Sequence, residues 1–156
     1  MKVIKIPFNI NFPCTVHEVP GPDEKNCFNQ IKALIGVELG EIVVTNLRGA
    51  LDRDFVLIVD EVGKCKGEWY HLINWRASEF YNGTFYGDPI VGDVVLCARQ
   101  WAPSGGECDL AGLTDPELEK FLIKLIIKFF YRKREEKENE SLRYECREKT
   151  GCWKEN

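Results

Sequence analysis

At 156 residues, with 44% apolar and 29% charged side chains, the chain can bury one domain's core and is too apolar for a disordered polymer. A net charge of −4 argues against a sequence-independent affinity for nucleic acid, which needs clustered lysine and arginine. Seven cysteines, an odd number in no regular framework, suit free thiols in a reducing cytoplasm rather than a secreted disulfide scaffold.

Lys2–Ile6 alternates charged and apolar residues, the pattern of a half-buried strand. Cys14–Val19, between prolines, is a second short strand, and Pro20-Gly21-Pro22-Asp23 a turn. Residues 24–35 form a helix with Phe28, Ile31, Leu34 and Ile35 on one face, and Gly36 ends it. Glu41–Leu47 and Asp54–Asp60 are β-branched strands joined through Arg48–Arg53 as a hairpin. In the second of them Phe55, Leu57 and Val59 point one way and Val56 and Ile58 the other. A strand apolar on both faces belongs at the centre of a sheet covered on both sides.

Asp60–Lys64 is a strand end and turn, with Gly63 free to take a positive φ. Asn74 caps a short helix over 74–82 that Gly83 stops. Ile90–Arg99 is the last strong strand, Gly92 a bend or bulge at its entry, and Pro103–Gly106 opens a polar loop. Thr114-Asp115-Pro116-Glu117 is a capping box, flanked by Leu113 and Leu118 at staple spacing. The expected organisation is a single α+β domain. Its core, 1–113, holds a mostly antiparallel sheet with a short helix in the N-terminal half. A long amphipathic helix follows over 114–138, then a charged, weakly ordered tail over 139–156.

Four segments in fixed order carry a resemblance: Ile31-Lys-Ala-Leu-Ile-Gly-Val-Glu38, Ile58-Val-Asp-Glu-Val-Gly-Lys64, Asn74-Trp-Arg-Ala77 and Tyr86-Gly-Asp-Pro-Ile-Val-Gly-Asp-Val-Val-Leu96. Together they resemble a family of small proteins from phages, plasmids and gut bacteria, catalogued as domain of unknown function three-eight-four-six. The likeness covers about residues 1–100. It implies an α+β fold and a mobile-element setting in a bacterial cytoplasm, and it brings no catalytic residues with it.

Candidate chemistry is sparse. Asp60, Glu61, Asp88 and Asp93 lie near strand ends, where they either hold a divalent cation or sit solvated in turns. Turn chemistry is the better account, so no metal and no cofactor is expected. Cys65 and His71 are close in sequence, which does not by itself make them a catalytic pair in space, and Cys146 and Cys152 lack the spacing of a zinc pair. Phosphate-binding loops and hydrolase elbows are missing.

Seven Phe, Trp and Tyr fall within the eighteen residues 69–86, more than one short helix buries. Some are therefore expected at the surface as binding anchors: Trp69, Tyr70, Trp75 and Tyr86, with Arg76 beside them. On the terminal helix, Lys120, Lys124, Lys128 and Arg132 form a basic stripe, and nearly everything else from Phe121 to Tyr131 is apolar. That arc is wider than packing on one core requires, so one side is expected on the sheet and the surplus, with Phe121, Leu125, Phe129, Lys124 and Lys128 as candidates, against a second copy or a partner. Simple burial of the helix in the core is the competing reading.

These features fit a non-enzymatic mobile-element protein that binds a host or defence-system protein and inhibits it, in the manner of anti-CRISPR and other counter-defence factors. A homodimer is compatible with it. No membrane contact and no sequence-specific contact to nucleic acid is expected. One alternative is a nucleotide or small-molecule sequestering protein lined by Trp69, Tyr70, Trp75 and Tyr86, with Arg76, Lys64 and Arg99 for phosphate. Another is a metal-dependent hydrolase using Asp60, Glu61 and Asp93.

Overall fold

The computed structural model describes residues 1–21, 26–48, 53–80, 88–101, 108–127 and 134. Its elements in chain order are β1 (Lys2–Ile6), β2 (Thr15–Glu18), α1 (Cys27–Ile35), β3 (Gly40–Arg48), β4 (Arg53–Asp60), α2 (Trp75–Phe80), β5 (Val94–Trp101), β6 (Cys108–Ala111) and α3 (115–127). Two 3-10 turns, Gly63–Cys65 and Trp69–Leu72, link β4 to α2.

The six strands make one antiparallel sheet in the order β2-β1-β5-β4-β3. β6 also pairs with β5. The edge of β5 turned away from β4 is shared. β1 takes its first half (Ile6↔Val94, Ile4↔Leu96) and β6 its second (Ala98↔Ala111, Trp101↔Cys108). The fold is thus the expected α+β domain with an antiparallel sheet and a C-terminal helix. Among the described residues no helix is long and apolar enough to cross a membrane.

β4 and β5 are apolar on both faces because helices cover both. Val3, Val56, Ile58, Val95 and Cys97 pack with Cys27, Ile31 and Ile35 of α1. On the other face Ile4, Phe55, Leu57 and Leu96 pack with Ala77 and Phe80 of α2 and Phe121 and Leu125 of α3. The two-faced reading of Asp54–Asp60 therefore holds residue by residue. Helix α1 ends on Gly36, left-handed at φ 69°, as a helix-stopping glycine should be. At the start of α3, Thr114 N donates to the Glu117 carboxylate at 2.7 Å, and Leu113 and Leu118 are both buried. This is the reciprocal arm of the expected capping box.

Two expectations need correcting. Gly63 does not use a positive φ. It is buried, and a Cβ there would sit at ordinary contact distance from Asp60 Cβ (3.4 Å) and Val91 Cβ (3.5 Å), so neither backbone angle nor space demands glycine here. Ile90–Arg99 is also not followed by loop alone: β6 pairs with β5 over 108–111, beyond the expected loop at Pro103–Gly106, which lies outside the described residues. The expected continuation of the last helix to 138, and the tail 139–156, lie outside the described residues apart from residue 134, which is helical.

Candidate functional site

Asn74 is the residue on which this end of the molecule is built. Fully buried, it accepts the Ala77 N–H at 3.1 Å as the cap of α2. Its Nδ2 donates to the carbonyls of Ile6 and Gly92, both at 2.9 Å. One side chain thereby ties the end of β1, the entry to β5 and the start of α2. Ser78 extends the knot, donating to Asn74 O and accepting from Ile90 N, both at 2.8 Å.

Arg76, expected as a surface anchor, is instead 6% exposed. Its guanidinium donates to the carbonyls of Pro7, Asn9 and Phe12, clamping the loop between β1 and β2. Asp93 holds the same loop from another side, accepting the Phe8 N–H at 3.0 Å and pairing with Lys5 at 2.9 Å. The sequence argument failed for Arg76 because helix spacing does not reveal a carbonyl-rich loop sixty residues away.

The aromatics divide. Tyr70 is 55% exposed and Trp75 39%, while Trp69 is half-buried, edge-on to Tyr70 at 6.5 Å. The Tyr70 ring also lies 4.3 Å from the exposed His71 imidazole. Tyr86 lies outside the described residues. A cavity of about 290 Å³ opens between Trp75 and His71 on one side and Phe8, Asn9 and Ile10 on the other, with Arg76 in its wall.

Helix α3 also divides, and not along the expected line. Phe121 and Leu125, expected on the outer surface, face the sheet. Phe121 packs edge-on against Phe55 at 4.6 Å and Phe80 at 6.2 Å. The Lys124 ammonium sits 5.1 Å over the Phe80 ring, a cation on the negative face of an aromatic. Phe129 and Lys128 lie outside the described residues. The exposed apolar stripe is Ile123, Ile126 and Ile127, each about half exposed. These residues were missed, although helical spacing turns them outward once 121 and 125 turn in. Beside Ile126 runs an apolar groove of about 330 Å³, walled by Ile10, Phe12, Cys14, Leu122 and Leu125, with Arg76 reaching it as well. Phe12 is 60% exposed at its rim. Burial raises the pKa of the Cys14 thiol, and the nearby Arg76 charge partly offsets the rise.

The four candidate carboxylates do not form one cluster. Asp60, Glu61 and Asp88 do line one cleft with Glu41, but Lys64 pairs with Asp88 and Lys66 with Asp60. Asp93 is committed to Lys5 and Phe8 instead. Among the described residues no three metal-ligating side chains cluster. Cys27 and Cys97 are buried in the α1 face of the core, and Cys65 is exposed. Cys108, Cys146 and Cys152 fall where the side chains are not described.

No protein-family model and no curated protein matches the chain. A solved structure of the small RNA methyltransferase HEN1 is similar in fold, with a TM-score of 0.50 and 15% identity over 78% of this chain. This chain spans 16% of that one, and at such low identity the likeness concerns fold alone.

Proposed function

We propose that this chain is a non-enzymatic binding protein that docks on another protein through the outer face of α3 and the adjoining groove. Tyr70 and Trp75 offer a second anchor point. The observation that carries the reading is the division of α3. Leu118, Phe121 and Leu125 are buried against the sheet, and Ile123, Ile126 and Ile127 stand half exposed beside the exposed Phe12. A helix resting on one core needs a single apolar stripe, and a second one beside an apolar groove marks an interaction surface. Of the carboxylates a hydrolase would use, Asp60 and Asp93 are each paired with a lysine and Asp93 lies outside the cleft that Asp60 and Glu61 line, which favours binding over catalysis. The phage and plasmid setting implied by the resemblance makes a host or defence-system protein the partner, with inhibition of that partner as the outcome.

The test uses the full chain and the double variant Ile123→Asp, Ile126→Asp. A bacterial host protein retained by the wild type and lost by the variant supports the reading. Equal retention by both, or none by either, overturns it. Light scattering on the pure protein assigns the face to a second copy if a dimer becomes monomeric in the variant.

A further inference from the structure

Arg76 is a buried cation that no carboxylate pairs with among the described residues. Three of the five N–H bonds of its guanidinium go to backbone carbonyls. Its Nε is sealed from solvent without an acceptor. None of the five ion pairs among the described residues includes it. Asp93, which accepts the Phe8 N–H, is already paired with Lys5. Carbonyl dipoles solvate a guanidinium but do not neutralise it, and buried charges in proteins are normally matched by an opposite one. The cavity of about 290 Å³ beside Arg76 has no acidic residue in its lining. It does have Asn9 and His71 as polar groups and the partly exposed indole of Trp75 as a flat wall.

We propose that this cavity binds a small organic oxyanion carried on a flat ring. The oxyanion lies against Arg76, with His71 and Asn9 beside it, and the ring lies against Trp75. Guanidinium groups favour carboxylate and phosphate through charge-assisted hydrogen bonds, and an indole face favours a planar ring. The volume is at the small end of ligand cavities, so the ligand is of mononucleotide size or less. The site does not depend on docking through α3, and the two readings stand or fall separately.

Isothermal titration of the full chain tests it with two anions, AMP and benzoate, and their neutral counterparts, adenosine and benzamide. At least one anion is expected to bind saturably, with its neutral counterpart about tenfold weaker or worse. Trp75→Ala is expected to weaken the bound anion by about tenfold, and Ile126→Asp to leave it unchanged. AMP alone assigns the site to phosphates, benzoate alone to carboxylates. The proposal is overturned if neither anion binds, if the neutral compound binds equally well, or if Trp75→Ala binds as the wild type does. Arg76→Gln is expected to abolish binding. Should the loss of its loop clamp unfold that variant, the neutral compounds and Trp75→Ala decide the matter alone.

Discussion

A single amide, that of Asn74, does the work of three ordinary contacts, and its chemistry is directional. The carbonyls of Ile6 and Gly92 accept its two N–H bonds, and its oxygen accepts the buried N–H of Ala77. Asn74→Ala is expected to cost about 3 kcal/mol or more in urea unfolding, since it orphans two carbonyls and a cap. Asn74→Asp, nearly the same shape, is expected to cost at least as much, because a carboxylate has no N–H for Ile6 or Gly92. An Asp variant clearly more stable than the Ala variant would show that the cap alone matters. The cap was legible in the sequence, since Asn is a favoured residue before a helix. The donor side was not, because nothing local to residue 74 announces Ile6. Cys97 acts by burial alone. Enclosure, with Cys27 beside it, pushes its thiol from the ordinary 9.0 up to about 12. Between those values the folded chain keeps a proton that the unfolded chain gives up. Its contribution to stability is therefore intact below pH 9.0 and is lost as pH rises toward 12. Urea midpoints measured upward from pH 9.0 should fall more steeply for the wild type than for Cys97→Ala, by at most about 1.4 kcal/mol per pH unit.

Helix α3 shows how far periodicity goes. Its start was readable from the capping box, and its excess of apolar residues from composition. The choice of which apolar residues turn inward was not readable, because Phe121 and Ile123 look alike until the sheet offers Phe55 and Phe80 as neighbours. The two stripes should separate experimentally. Phe121→Ala removes a buried ring and is expected to lower stability by about 4 kcal/mol, measured by denaturant unfolding. Ile126→Asp is expected to change it by less than about 1 kcal/mol. A large loss for Ile126→Asp would mean that the outer stripe is covered within the chain itself. The strands divide in a similar way. β4 was legible because it is apolar on both faces, whereas β6 has four residues and no alternation, and its pairing is set by β5. The acidic cleft was half legible. Turn positions brought Asp60, Glu61 and Asp88 together, but their lysine partners are chosen in space, not in sequence.

The molecule as a whole is closed where β1, β6 and α3 meet. Leu113 N donates to Lys2 O at 2.8 Å, and Lys2 pairs with Asp115 at 2.7 Å. Gly112 passes so close to β1 that a Cβ would lie 2.8 Å from Met1 Cβ and 3.0 Å from Lys2 N. Gly112→Ala is therefore expected to cost about 2 kcal/mol, read as a lower thermal midpoint, because backbone must move to admit one methyl group. The shared edge of β5 also sets an order of events in time. β1 is made well before its central neighbour, which begins only at residue 94, and until then neither β1 nor β4 has a strand on that side. Contacts this distant in sequence form slowly and late. A nascent chain that has reached residue 93 therefore carries two separate strand pairs, β1–β2 and β3–β4, and the helices α1 and α2 with no central strand to join them, exposed to chaperones and proteases. A fragment ending at residue 93 should be cut by dilute protease within β1 and β4, whereas the full chain is protected there by their pairing with β5. The protein thus passes its most vulnerable moment just before β5 is made.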